Sequence, residues 1–124
     1  MSRKVIIQDI KHYNDFNEWM GYQFIMSDPD KNIQLKISNE KKCCEQFGVY
    51  VDANILDFIG AEYEEITVGD IIPIVGEENG SLQITIKITT NKGILNICFY
   101  NIHNRFYKHD VNISYNEKNY YIAL

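Results

Sequence analysis

The sequence predicts an α+β fold: a mostly antiparallel, twisted sheet of about six strands carrying one or two short helices. Three observations predict it. Apolar and polar residues alternate with period two in several runs between Val5 and Tyr115, as in strands that bury one face. Turn-forming stretches such as Asp28-Pro29-Asp30-Lys31-Asn32 and Thr90-Asn91-Lys92-Gly93 separate the runs, which favours antiparallel neighbours. Two short windows instead space their apolar residues helically, around Phe16, Trp19 and Met20 and around Ile55 and Phe58. A chain of 124 residues, 45% apolar and 23% charged, reads as one globular domain spanning 1–124, with core enough to need neither metal nor disulfide.

Taken in order, Val5 and Ile7 alternate with Ile6 and Gln8 in a short strand. Asn14 is placed to cap a helix in which Phe16, Trp19 and Met20 face the core and Gly21 stops the run. Residues 22–26 and 33–37 alternate on either side of the Asp28 to Asn32 turn and form a hairpin. Asp28, Asp30 and Asn32 are spaced like the start of a calcium loop. Ile33 stands where that loop requires glycine, and Asn39 where it requires glutamate, so the stretch reads as a turn. Phe47, Val49 and Val51 mark another strand. Asp52 or Asn54 then caps a short helical turn bearing Ile55, Leu56, Phe58 and Ile59, ended by Gly60.

Residues 64–68 read as a strand, and 71–75, with Pro73 inside, as a sheet edge that offers a dimerisation route. Leu82, Ile84, Ile86 and Ile88 alternate with Gln83, Thr85 and Lys87. Residues 94–100 are apolar on both faces except at Asn96, as expected of a central strand. After a turn at His103-Asn104-Arg105, residues 106–115 place Tyr107, His109, Val111, Ile113 and Tyr115 on one face. Three such strands in succession predict an antiparallel meander.

Several function classes find no support. Net charge is −5, which disfavours direct nucleic-acid binding. No apolar run is long enough for a membrane helix, and Gln8-Asp9 cuts short the only N-terminal one, so a cytoplasmic protein is expected. Three cysteines fit free thiols in a reducing compartment. No phosphate loop, Gly-x-Ser-x-Gly or His-Glu-x-x-His occurs, so no catalytic residue, metal or cofactor is expected. Cys43 and Cys44 are adjacent, and neighbours in an extended chain point to opposite sides. A zinc site wants ligand pairs of the Cys-x2-Cys kind, so this pair reads as structural, with one thiol filling the core.

Charge is distributed unevenly. Residues 43–86 contain no lysine or arginine, yet hold nine of the 17 acids: Glu45, Asp52, Asp57, Glu62, Glu64, Glu65, Asp70, Glu77 and Glu78. These nine form the candidate partner-binding set, suited to a protein with a basic surface. Tyr63, Tyr120 and Tyr121 are expected to be exposed and to suit such an interface. The competing candidate is a small-ligand site at the His103-Asn104-Arg105 turn with Tyr100 and Tyr107, since arginine and aromatics recognise phosphates and bases.

Two blocks carry a resemblance. Cys43-Cys44-Glu45, followed by a strand and Ile55-Leu56-Asp57-Phe58-Ile59-Gly60, is one. Thr90-Asn91-Lys92-Gly93, running into Phe99-Tyr100, is the other. Together they resemble an uncharacterised family of small phage and viral proteins with a Gln-Asp-Cys-Cys-Glu element and a Thr-x-Lys-Gly strand, over residues 22–115. Lys41-Lys42 replaces its Gln-Asp, Cys98 stands where arginine is common, and Arg105 replaces a turn glycine. A site built on that arginine and turn would be altered here. The resemblance implies a phage or viral setting. With the acidic segment, it leads to the expectation of a non-enzymatic accessory protein, monomer or homodimer, that binds and inhibits a host defence protein of, for example, the CRISPR type. The alternative is a binder that sequesters a nucleotide-type defence signal at the His103–Arg105 turn.

Overall fold

The structure, a computed structural model, describes residues 4–14, 19–38, 46–76, 80–102 and 108–124. Ten strands run in chain order: β1 (Val5–Asn14), β2 (Trp19–Met26), β3 (Ile33–Ser38), β4 (Gln46–Val51), β5 (Glu62–Val68), β6 (Ile72–Pro73), β7 (Leu82–Thr90), β8 (Gly93–Ile102), β9 (Asp110–Tyr115) and β10 (Lys118–Ala123). They lie in the order β10-β9-β3-β2-β1-β5-β7-β8-β4, with β6 alongside β7. Every pairing is antiparallel. The expected α+β fold of six strands with short helices is therefore corrected to a nearly all-β architecture. Among the described residues the only helical pieces are two 3-10 turns, Pro29–Lys31 and Ile55–Phe58.

The helix expected after Asn14 gives way to a strand for a geometric reason. Asn14 pairs with Met20 and His12 with Tyr22, so the chain reverses between them and β2 is already under way at Trp19. Phe16 lies outside the described residues. Met20, Tyr22, Phe24 and Met26 then point inward at period two, opposite Ile37, Leu35 and Ile33 of β3. Around Ile55 the sequence reading holds in outline. The Asn54 side chain accepts from the Leu56 N–H at 3.3 Å and caps one tight turn.

β1 joins two half-sheets. Val5 and Ile6 pair with Tyr63 and Glu62 of β5, whereas Ile7 and the residues after it pair with β2. The register slips between Ile7 and Asp9, a bulge of the kind that bends a strand. The halves enclose one core: Ile7, Phe24, Leu35, Ile37, Val111 and Ile113 from one side, Ile84, Ile86, Ile88, Leu95, Ile97 and Phe99 from the other.

A polar seam ties the far ends together. The Phe47 ring of β4 stacks on His109, just before β9, with centroids 3.8 Å apart. His109 Nδ1 lies 2.9 Å from the Ser38 carbonyl oxygen at the end of β3. A carbonyl can only accept, so Nδ1 carries the proton. Asn101 of β8 donates from Nδ2 to the Leu124 carbonyl at 2.9 Å.

The predicted meander is corrected too. β8 has β7 on one side and β4 on the other, while β9 pairs with β3, Leu35 opposite Ile113. β9 then turns through Asn116 and Glu117 into β10, a strand that the sequence reading missed. Both turn residues have positive φ, 50° and 63°, the left-handed pair of a type I′ hairpin. Glutamate is strained there, so Glu117→Gly is expected to raise stability by about 0.5–1 kcal/mol. Thermal melts of the two proteins check it, and a lower melting temperature for the variant would contradict the turn geometry.

Candidate functional site

Of the nine acids, Glu45, Glu77 and Glu78 lie outside the described residues, as do Cys43 and Cys44. The other six do not form one continuous acidic face. Glu62 pairs with Lys4 of the neighbouring chain segment at 3.3 Å. The Asp57 backbone carbonyl accepts from Lys92 Nζ at 3.4 Å. Glu64 and Glu65 are exposed at the bulged start of β5, where Glu65 sits opposite Thr89 of β7. Exposed Lys87 stands two residues along on the same face of β7, opposite Thr67. The segment is free of bases along the chain but not in space, because β1, β7 and the β7–β8 turn bring Lys4, Lys87 and Lys92 among its acids.

Asp52 and Asp70 have a different setting. Asp52 follows β4 and accepts two hydrogen bonds from Asn96 of β8, from Nδ2 at 2.8 Å and from the backbone N–H at 3.3 Å. The Asn96 side-chain bond holds the Asp52 carboxyl below its ordinary pKa, so the group is ionised and fixed in place. Asp70 is exposed next to Gly69, whose N–H donates to the Thr85 carbonyl at 2.9 Å. Both therefore border the outer surface of β4, β8, β7 and β6.

That surface is apolar and open. Register places Gln46, Gly48 and Tyr50 of β4 opposite Ile102, Tyr100 and Cys98 of β8. Cys98 and Tyr100 in turn face Thr85 and Gln83 of β7, and Ile72 of β6 lies opposite Gln83. Residues directly opposite share a face, so Tyr50, Cys98, Tyr100, Ile102 and Ile72 form one patch. A shallow groove of about 470 Å³ runs across it, with Ile74 in its wall. Tyr50 is 63% exposed and Ile72 49%. The Tyr100 hydroxyl lies 2.9 Å from where a Cβ on Gly48 would stand, so the ring crosses β4 where the chain has no side chain. The Cys98 thiol donates to Gln83 Oε1 at 3.4 Å. Burial pushes its pKa up, with a Thr85 hydrogen bond opposing, which works against nucleophilic reactivity.

The model of a family described as a domain of unknown function, DUF7448, matches residues 3–113. The chain belongs to the DUF7448 family. No curated protein and no solved structure matches it. The match takes in β1 through β8 and part of β9, hence the whole groove and all nine candidate acids, and it ends before β10.

In this DUF7448 chain most of the second candidate site lies beyond what the structure describes. Tyr100 belongs to the groove, whereas His103, Asn104, Arg105 and Tyr107 lie outside the described residues. Among the described residues no group of three or more histidine, cysteine or acidic side chains gathers where it could hold a metal. Tyr120 and Tyr121 are exposed as expected, but Tyr63 is half-buried against the core.

The sequence reading missed Tyr50, Ile72, Ile74, Cys98 and Ile102 as surface residues that act together. A signal for them existed in residues 94–100, apolar on both faces except at Asn96. Two-sided apolarity was expected to mean burial on both sides, yet only Leu95, Ile97 and Phe99 lie in the core, and Ile94 is 54% exposed.

Proposed function

We propose that the protein is a non-catalytic binding module that docks a basic protein on the outer face of β4, β8, β7 and β6. The observation that supports this most is the contiguous groove of Tyr50, Cys98, Tyr100 and Ile102 beside the fixed carboxylate of Asp52. Isolated exposed apolar residues are ordinary, but a contiguous patch with polar borders is the usual form of a protein interface. The apolar centre supplies desolvated contact area. Asp52 and Asp70, in a chain of net charge −5, favour and steer a positively charged partner.

The finer reading draws on the sequence resemblance. In a phage or viral setting inside a host cytoplasm, the partner would be a host defence protein whose basic surface normally meets nucleic acid, a CRISPR-type nuclease being one instance. Occupying that surface would inhibit it. The competing small-ligand reading draws only Tyr100 from the described residues, and Tyr100 lies in an open groove rather than an enclosed one.

Retention of host-lysate proteins on the immobilised chain tests the proposal, with three baits compared. Wild type is expected to hold a basic protein. Ile102→Lys in the groove should weaken it at least tenfold, as expected for an interface anchor. Asp52→Asn with Asp70→Asn should weaken it several-fold and flatten its salt dependence. Equal retention by all three baits, or no basic protein retained even in low salt, would overturn it.

A further inference from the structure

We propose that two copies of this chain pair through their β10 strands, edge to edge and antiparallel, about a twofold axis at Tyr121. β10 ends the path of strands and pairs only with β9 within that path. Its hairpin turn has two residues, so Lys118 and Tyr115 close it as a hydrogen-bonded pair. Every second residue then spends its backbone groups on β9. Mutual bonds between His109 and Leu124, at 3.1 and 2.9 Å, confirm that phase. The N–H and C=O groups of Asn119, Tyr121 and Ala123 consequently point away from the sheet, and no described residue pairs with them.

Another sheet border, β6, carries devices that discourage such pairing. β6 is two residues long and contains Pro73. β10 has no proline, no bulge and a single charge, Lys118, at its turn end. It also exposes 71% of Tyr121 and 40% of Tyr120.

What favours a second copy over another strand is self-complementarity. With Tyr121 opposite Tyr121 of the second copy, Asn119 meets Ala123 and all three outward residues find partners. On the other face Tyr120 meets Ile122, an aromatic and β-branched pair of the kind that stabilises sheets. The two Lys118 side chains fall at opposite ends, whereas parallel pairing would set them side by side. The pairing leaves the groove on β4, β8 and β7 uncovered, so it stands or falls separately from the docking proposal.

Sedimentation velocity at about 100 µM, where even weak specific pairs associate, should give twice the chain mass. Tyr121→Lys places two ammonium groups at the axis, and Tyr121→Pro removes the outward N–H there without costing a β9 bond. Each should halve the mass while leaving the far-UV circular dichroism unchanged. Amides of Asn119, Tyr121 and Ala123 should exchange slowly in the wild type and at least tenfold faster in both variants. A monomeric wild type, a dimer that survives both substitutions, or equal exchange at the three amides would each overturn the proposal.

Discussion

Gly21→Ala should cost about 3 kcal/mol or more, a large share of the total stability of a domain this size. Gly21 lies in the middle of β2 with φ +147°, and a Cβ there would run into the backbone carbonyl of Leu35. Leu35 is held in β3 between β2 and β9, so its carbonyl cannot move aside without parting the centre of one half-sheet. Gly93 provides the control. Its φ is +127°, but nothing lies within 4 Å of its Cβ position. Gly93→Ala therefore carries only the conformational penalty, about 1 kcal/mol. Urea unfolding of both variants separates strain from collision. Equal losses would mean that β2 and β3 do not approach as closely as described.

His109→Ala should cost about 3 kcal/mol, combining a truncated buried ring with the loss of its hydrogen bond to Ser38. The ring is 1% exposed, stacks on Phe47 and donates to Ser38. One side chain thus links β4, β3 and the start of β9. His109→Phe keeps the stack and removes the hydrogen bond, so it should cost less, about 1–2 kcal/mol. If the alanine variant unfolds at the same urea concentration as wild type, the seam does not hold the two halves together.

Local alternation made β3, β4, β7 and β8 legible, because Leu82 to Ile88 and Ile33 to Ile37 show their period directly. The hairpin read from residues 22–26 and 33–37 is the pairing of β2 with β3, and only the start of β2 was obscured, by a coincidence of spacing. Trp19 and Met20 fit a helical stripe with Phe16, whereas Met20, Tyr22, Phe24 and Met26 fit a strand equally well, and pairing with β1 and β3 decided between them. β10 gave almost no pattern, since an edge strand with five exposed residues has little burial to imprint on its sequence. Its turn, Asn116-Glu117, also lacks the glycine that normally announces a type I′ hairpin.

The partner of β9 was beyond any local reading. Nothing in residues 110–115 points to β3, some 75 residues earlier in the chain, rather than to β8. The same long range shaped the candidate site. The acidic segment looked uniform because lysines were counted along the chain, while Lys4 and Lys92 reach it only through strand pairing and the β7–β8 turn. The groove escaped notice for the converse reason. Tyr50, Ile72 and Cys98 come from three strands and meet only once β4 and β6 flank β7 and β8.

Site-specific photocrosslinking in host cells bears most directly on where a partner docks. A benzophenone side chain at position 50 or 102 places the probe in the groove, and one at Lys11 places it on the outer face of the other half-sheet, opposite Gln23. Docking on β4, β8, β7 and β6 predicts one basic protein crosslinked from positions 50 and 102 and none from position 11. Crosslinking of the same protein from position 11 with none from 50 and 102, or no partner at any of the three, would contradict it.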